Sequence, residues 1–77
     1  PATVQISKTS GLAGVAYWIN QTYGLEDGEK LDKKSPLVIA MKEWVDQQYE
    51  DGRQTVMTER ELKEKIRQLA PDFAERG

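Results

Sequence analysis

The sequence contains no cysteine and no histidine. Without thiols there is neither a disulfide framework nor a thiolate metal site to stabilise a small fold, and thiol usage says nothing of the redox compartment. Without imidazole, the commonest general base and metal ligand is missing, which leaves carboxylates, lysines and tyrosines as the titratable chemistry. Catalysis by this chain alone is therefore not expected. A surplus of one charge is also lacking: 11 Lys and Arg stand against 13 Asp and Glu, a formal net charge of -2. With no basic excess to neutralise phosphates, a nucleic-acid partner is not expected. Long apolar runs are missing as well. The run from Leu37 to Met41 is far shorter than the roughly 20 residues that a bilayer span needs, and no signal-peptide pattern opens the chain. The expectation is a soluble, cytoplasmic protein with no membrane partner.

What is present suits one small folded unit. The 77 residues are 38% hydrophobic and 31% charged, a globular balance for a chain that buries only about 60% of its unfolded surface. Residues 2 to 7 alternate small or apolar with polar side chains and put Val4 and Ile6 on one face, a strand-like lead-in without a visible partner. A helix over 11–23 follows, with Ser10 as its N-cap and Gly24 as the left-handed residue that ends it. Leu12, Val15, Ala16, Ile19 and Tyr23 form its inward stripe, and Tyr17 and Trp18 lie off that stripe on opposite sides. Residues 25 to 34 mix both charges with glycine and read as a solvated loop. Ser35-Pro36 opens a second helix over 36–49, with Leu37, Ala40, Met41, Trp44, Val45 and Gln48 inward and Ile39 outward. The third, over 59–69, starts at the capping box Thr58-Glu59-Arg60-Glu61, with Met57 and Leu62 at hydrophobic-staple spacing and Leu62, Ile66 and Leu69 inward. Ala70-Pro71 ends it, and Phe73 is the one anchor in the tail.

These elements predict a mostly all-α fold, a small three-helix bundle with a short N-terminal extended segment. The core expected from the stripes is Leu12, Val15, Ile19, Leu37, Met41, Trp44, Val45, Val56, Leu62, Ile66 and Leu69.

Motifs for nucleotide, zinc or calcium binding are missing. Gly11 and Gly14 sit at the start of the first helix, where backbone N–H groups can meet an anion, but glycines there equally let another surface approach closely, and close packing is the stronger reading. Glu59, Glu61 and Glu64 do not make a catalytic pair or metal cluster: capping explains Glu61, the helix dipole explains Glu59, and Arg67 or solvent satisfies Glu64.

The run Ser10-Gly11-Leu12-Ala13-Gly14-Val15-Ala16-Tyr17-Trp18-Ile19, closing on Tyr23-Gly24-Leu25, resembles the S-G-K-G-G-V-A-Y…G-L segment of the 2-isopropylmalate and homocitrate synthase family. Val4-Gln5-Ile6 looks like the strand that precedes it, and Gly52…Val56-Met57-Thr58-Glu59-Arg60-Glu61-Leu62 is similar to the family's second small subdomain. Leu12 stands where the family usually has Lys, and Ala13 where it has Gly. The stretch from Ala16 to Gln21 looks closer to the divergent homocitrate, citramalate and Re-type citrate synthase branches. The resemblance implies a C-terminal accessory subdomain following a TIM barrel. In such enzymes the barrel binds a divalent metal ion and condenses acetyl-CoA with a 2-oxo acid, with neither metal nor catalyst supplied by this piece. The partners implied are that upstream barrel and a second copy of the chain in a homodimer, with the subdomain reaching toward the partner subunit's active site. Tyr17 would be the residue nearest that site, with Gly11, Gly14 and Trp18 at the interface. The competing expectation is a free-standing helical interaction module with Trp18, Ile39 and Trp44 as an exposed anchor patch. A regulatory ligand-binding domain is disfavoured, since so short a chain has little room for an enclosed pocket.

Overall fold

Helices form where the sequence places their start and stop signals. The computed structural model describes residues 5–75. It shows α1 over Leu12–Thr22, α2 over Pro36–Glu50, α3 over Glu59–Leu69 and a single turn, α4, over Pro71–Ala74. The three expected helices are thus present within a residue of their expected ends. The tail, expected to be either a short turn anchored by Phe73 or a fraying end, forms one turn of helix over Pro71–Ala74.

The helix ends carry most of the local logic. At the end of α1, Gly24 takes φ +60°, and at the end of α2, Gly52 takes φ +108°. Each is followed by the same pair of closing bonds: the amides of Gly24 and Leu25 donate to the carbonyls of Gln21 and Asn20, and those of Gly52 and Arg53 donate to Tyr49 and Gln48. This glycine-dependent closure satisfies carbonyls that would otherwise be left over. The start of α1 differs from expectation. Gly11, not Ser10, is the N-cap, because the Ser10 hydroxyl instead accepts the Ser7 amide at 3.0 Å and closes the preceding turn.

The α3 capping box is complete: the Glu61 amide donates to Thr58 Oγ1 at 3.1 Å and the Thr58 amide donates to Glu61 Oε1 at 3.0 Å. Arg53, which has no obvious role in the sequence, grips the same carboxylate with two bonds of 2.6 Å. Two further N–H groups, on Nε and Nη2, donate to the Thr55 and Val56 carbonyls. One guanidinium therefore ties the end of α2, the connector and the start of α3 together. Chiefly through Arg53, and then through the Thr58 amide, the Glu61 pKa is held down at about 2. A depressed carboxylate stabilises the fold fully above its unfolded value and loses that contribution as pH falls through the folded one. The urea midpoint is expected to drop between about pH 4.5 and 2, and Glu61→Gln is expected to flatten that part of the curve; an equal drop in the variant would contradict the assignment.

α2 is the central helix, packing against both α1 and α3, while α4 packs on α3. One hydrophobic cluster joins Val15, Ala16, Trp18, Ile19 and Tyr23 of the first helical segment to Val38, Met41 and Val45 of α2 and Leu62 and Ile66 of α3. Chain segments outside the helices complete it. Ile6, Leu25 and Met57 are all buried, and the Met57 amide donates to the Ile6 carbonyl at 2.9 Å. The described part of the lead-in is not a strand; Val4 lies outside the described residues.

Several core expectations need correction. The face that α2 buries is centred on Val38, Met41 and Val45, rotated by roughly 60° at about 100° per residue from the stripe read in the sequence, so Leu37 and Trp44 are only partly buried. The cause is that α2 serves two neighbours, which shifts its buried face toward the side they share. Val56 and Leu69 are exposed. Met57, at the staple position, takes the inward place in the connector, and Phe73 from α4 covers the end of the core, with its ring 5.1 Å from that of Tyr23.

Candidate functional site

Tyr17 occupies the face of α1 turned away from the bundle. It is 50% exposed, whereas Val15, Ala16, Trp18 and Ile19 around it are at most 5% exposed. Four residues on, the Gln21 amide donates to the Tyr17 hydroxyl at 2.6 Å, the spacing at which side chains stack along one helix face.

The chain leaving α1 builds a wall opposite this pair. Gly24 turns it back, Leu25 anchors it in the core, and the Asn20 side chain clamps its far end. Asn20 Nδ2 donates to the Leu31 carbonyl at 2.9 Å, and Asn20 Oδ1 accepts the Leu31 amide at 2.8 Å. Between these anchors, residues 26–30 arch beside Tyr17 and enclose an open cleft of 570 Å³ lined on the helix side by Tyr17, Asn20 and Gln21 and on the loop side by Glu26, Asp27 and Lys30. The loop read as a plain solvated connector is thus pinned at both ends. Leu25 and Leu31, two apolar residues within its charged run, were the signal in the sequence. Lys30 and Asp27 pair at 3.3 Å with Asp27 fully exposed, a contact that contributes little and exchanges readily.

The glycines at the start of α1 are not required by packing within the chain. A Cβ on Gly11 would meet nothing within 4 Å, and one on Gly14 would meet only the Ser10 Cβ, at 3.9 Å. Gly11 is itself extended, a conformation open to any residue. Within the described residues nothing packs closely against either glycine.

Trp18 requires correction. It is 4% exposed and cannot serve as an interface residue, because α1 is covered over an arc of about 160° at 100° per residue, wider than the stripe that the wheel isolates. The anchor patch of the competing expectation fails with it: Trp44 is partly buried with the Lys65 ammonium 5.7 Å from its ring, and Ile39 is left exposed by itself on α2.

The acidic residues of α3 are structural. Glu59 pairs with Lys63 at 3.2 Å and Glu64 with Arg67 at 2.7 Å, as its i,i+3 spacing suggested. Among the described residues no three acidic side chains gather as a metal site, and the sequence has no His or Cys, so the described residues offer no ligand set for the divalent ion that the resemblance places on a barrel. No helix among the described residues is long and apolar enough to cross a membrane.

Comparison with known proteins gives this geometry its context. The chain is 38% identical over 73 residues to the citrate (Re)-synthase of Syntrophus aciditrophicus, an alignment covering 95% of the chain and 12% of that protein. It is 37% identical over 76 residues to the citrate (Re)-synthase of Clostridium kluyveri, covering 99% of the chain and 17% of that protein. No family model matches, and no solved structure does. The chain thus spans only a small part of the length of these curated relatives, and the resemblance to the acyl-condensing synthases read from the first helix extends along nearly the whole of it.

Proposed function

We propose that this chain is a non-catalytic C-terminal subdomain of a citrate (Re)-synthase-like enzyme, a type that condenses acetyl-CoA with a 2-oxo acid, and that it helps to form the dimer and close the partner's active site. The observation that carries this reading is the similarity, end to end, to a small part of two citrate (Re)-synthases. The composition agrees with a supporting role. A chain without His or Cys lacks the imidazole that most often serves as general base and has no soft or imidazole ligand for a metal ion. The ion and the acetyl-CoA site are assigned to the barrel expected upstream.

The α1 face is the surface for that role. Gly11 and Gly14 leave its first turns without side chains that would hold another body away, and Tyr17 stands one turn further on with its hydroxyl exposed. The phenol is suited to donate a hydrogen bond to an anionic group at the neighbouring site.

The test is a comparison of a full-length parent enzyme with a version cut before the region equivalent to residues 5–75. The truncated enzyme is expected to lose most of its condensing turnover and to sediment as a smaller species. Full turnover with an unchanged sedimentation coefficient would overturn the reading.

A further inference from the structure

Resting on the reading of Tyr17 above, we infer that Gln21 is a positioning residue that fixes Tyr17 as a hydrogen-bond donor toward the cleft, so that whatever faces Tyr17 must present an acceptor oxygen. The two side chains stand one helical turn apart on the exposed face of α1, with Nε2 2.6 Å from the phenol oxygen, and the helix backbone sets their separation. A phenol has one proton to donate and lone pairs with which to accept. With the Gln21 amide filling an accepting position, the proton is directed elsewhere.

Nothing within the described residues takes it. The Gln21 contact is the hydroxyl's one hydrogen bond among them. Asn20, on the same stretch of helix, spends both ends of its amide on the Leu31 backbone, and neither Glu26 nor Asp27, which also line the cleft, bonds to the phenol. The pair therefore presents one O–H without a protein acceptor among the described residues, on the wall of an open 570 Å³ cleft. The complementary group is a carboxylate or carbonyl oxygen, brought either by the substrate or by the backbone of the adjoining domain.

The experiment reverses the polarity of position 21 in the full-length parent. Gln21→Glu supplies a group that only accepts, so it captures the Tyr17 proton; kcat/KM is expected to fall about as far as in Tyr17→Phe, about 10- to 100-fold. Gln21→Lys supplies a group that only donates and is expected to recover most of that loss. In the double variant Tyr17→Phe/Gln21→Glu the second change is expected to add nothing, since the two residues act as one unit. An acceptor on the substrate confines the loss to the kinetic constants, and one on the adjoining domain also lowers the melting temperature. Equal losses in Gln21→Glu and Gln21→Lys, or additive losses in the double variant, would overturn the positioning role. A loss in Tyr17→Phe without one in Gln21→Glu would overturn it too, leaving the reading of Tyr17 intact. Unchanged kinetics in Tyr17→Phe would sink both.

Discussion

Tyr17→Phe in a full-length parent enzyme is expected to lower kcat/KM for condensation by about 10- to 100-fold while leaving the packing of this bundle untouched. The magnitude follows from the bond at stake: a hydrogen bond to a charged group contributes about 1.5–3 kcal/mol, and each 1.4 kcal/mol is a factor of ten. The packing of this bundle is unaffected because the ring is half in solvent and, among the described residues, its hydroxyl bonds only to a neighbour on the same exposed face. Steady-state kinetics beside a thermal melt separate the two effects. Turnover and substrate affinity within twofold of the parent's, with the same melting temperature, would leave Tyr17 without a functional role.

Trp18→Ala is expected to act in the opposite way, destabilising the fold by about 3–5 kcal/mol. The side chain is 4% exposed within the single hydrophobic cluster, and its removal deletes the largest residue of α1's buried arc. A chain of 77 residues has a stability on the order of 5 kcal/mol, so the variant is expected to keep only about 0–2 kcal/mol and to melt far below the parent by circular dichroism. Ile39→Ala is the control: its side chain is exposed, and a change of at most about 0.5 kcal/mol is expected. If Trp18→Ala costs less than about 1 kcal/mol in a urea titration, Trp18 is not a core residue and its assignment to an interface returns.

These neighbouring residues show how far the wheel reading reached. It placed Tyr17 outside the core correctly, because Tyr17 lies nearly opposite the mean direction of the apolar stripe and no modest widening of the buried arc can reach it. It misjudged Trp18, which lies at the margin. There, burial depends on how far α2 and the flanking segments wrap around the helix. α2 shows the same limit: Val38 is fully buried and Leu37 is not, although both are apolar and adjacent. A period of 3.6 residues narrows the inward face to a sector but does not centre it when two neighbours share the helix.

Sequence alone determined what depends on near neighbours along the chain: the three main helices, the glycine that ends α1, Pro36 opening α2, and the Thr58–Glu61 box. Each is a backbone requirement met within four or five residues. It also determined, through the spacing from Ser10 to Leu25, the resemblance to the condensing synthases. Tertiary structure decided what depends on groups far apart in the chain: the Arg53 grip on Glu61, the burial of Ile6 and Leu25, the Asn20 clamp on Leu31, and the cleft that these anchors open beside Tyr17. Those contacts form only once folding has set the directions in which side chains meet, and no periodicity encodes them.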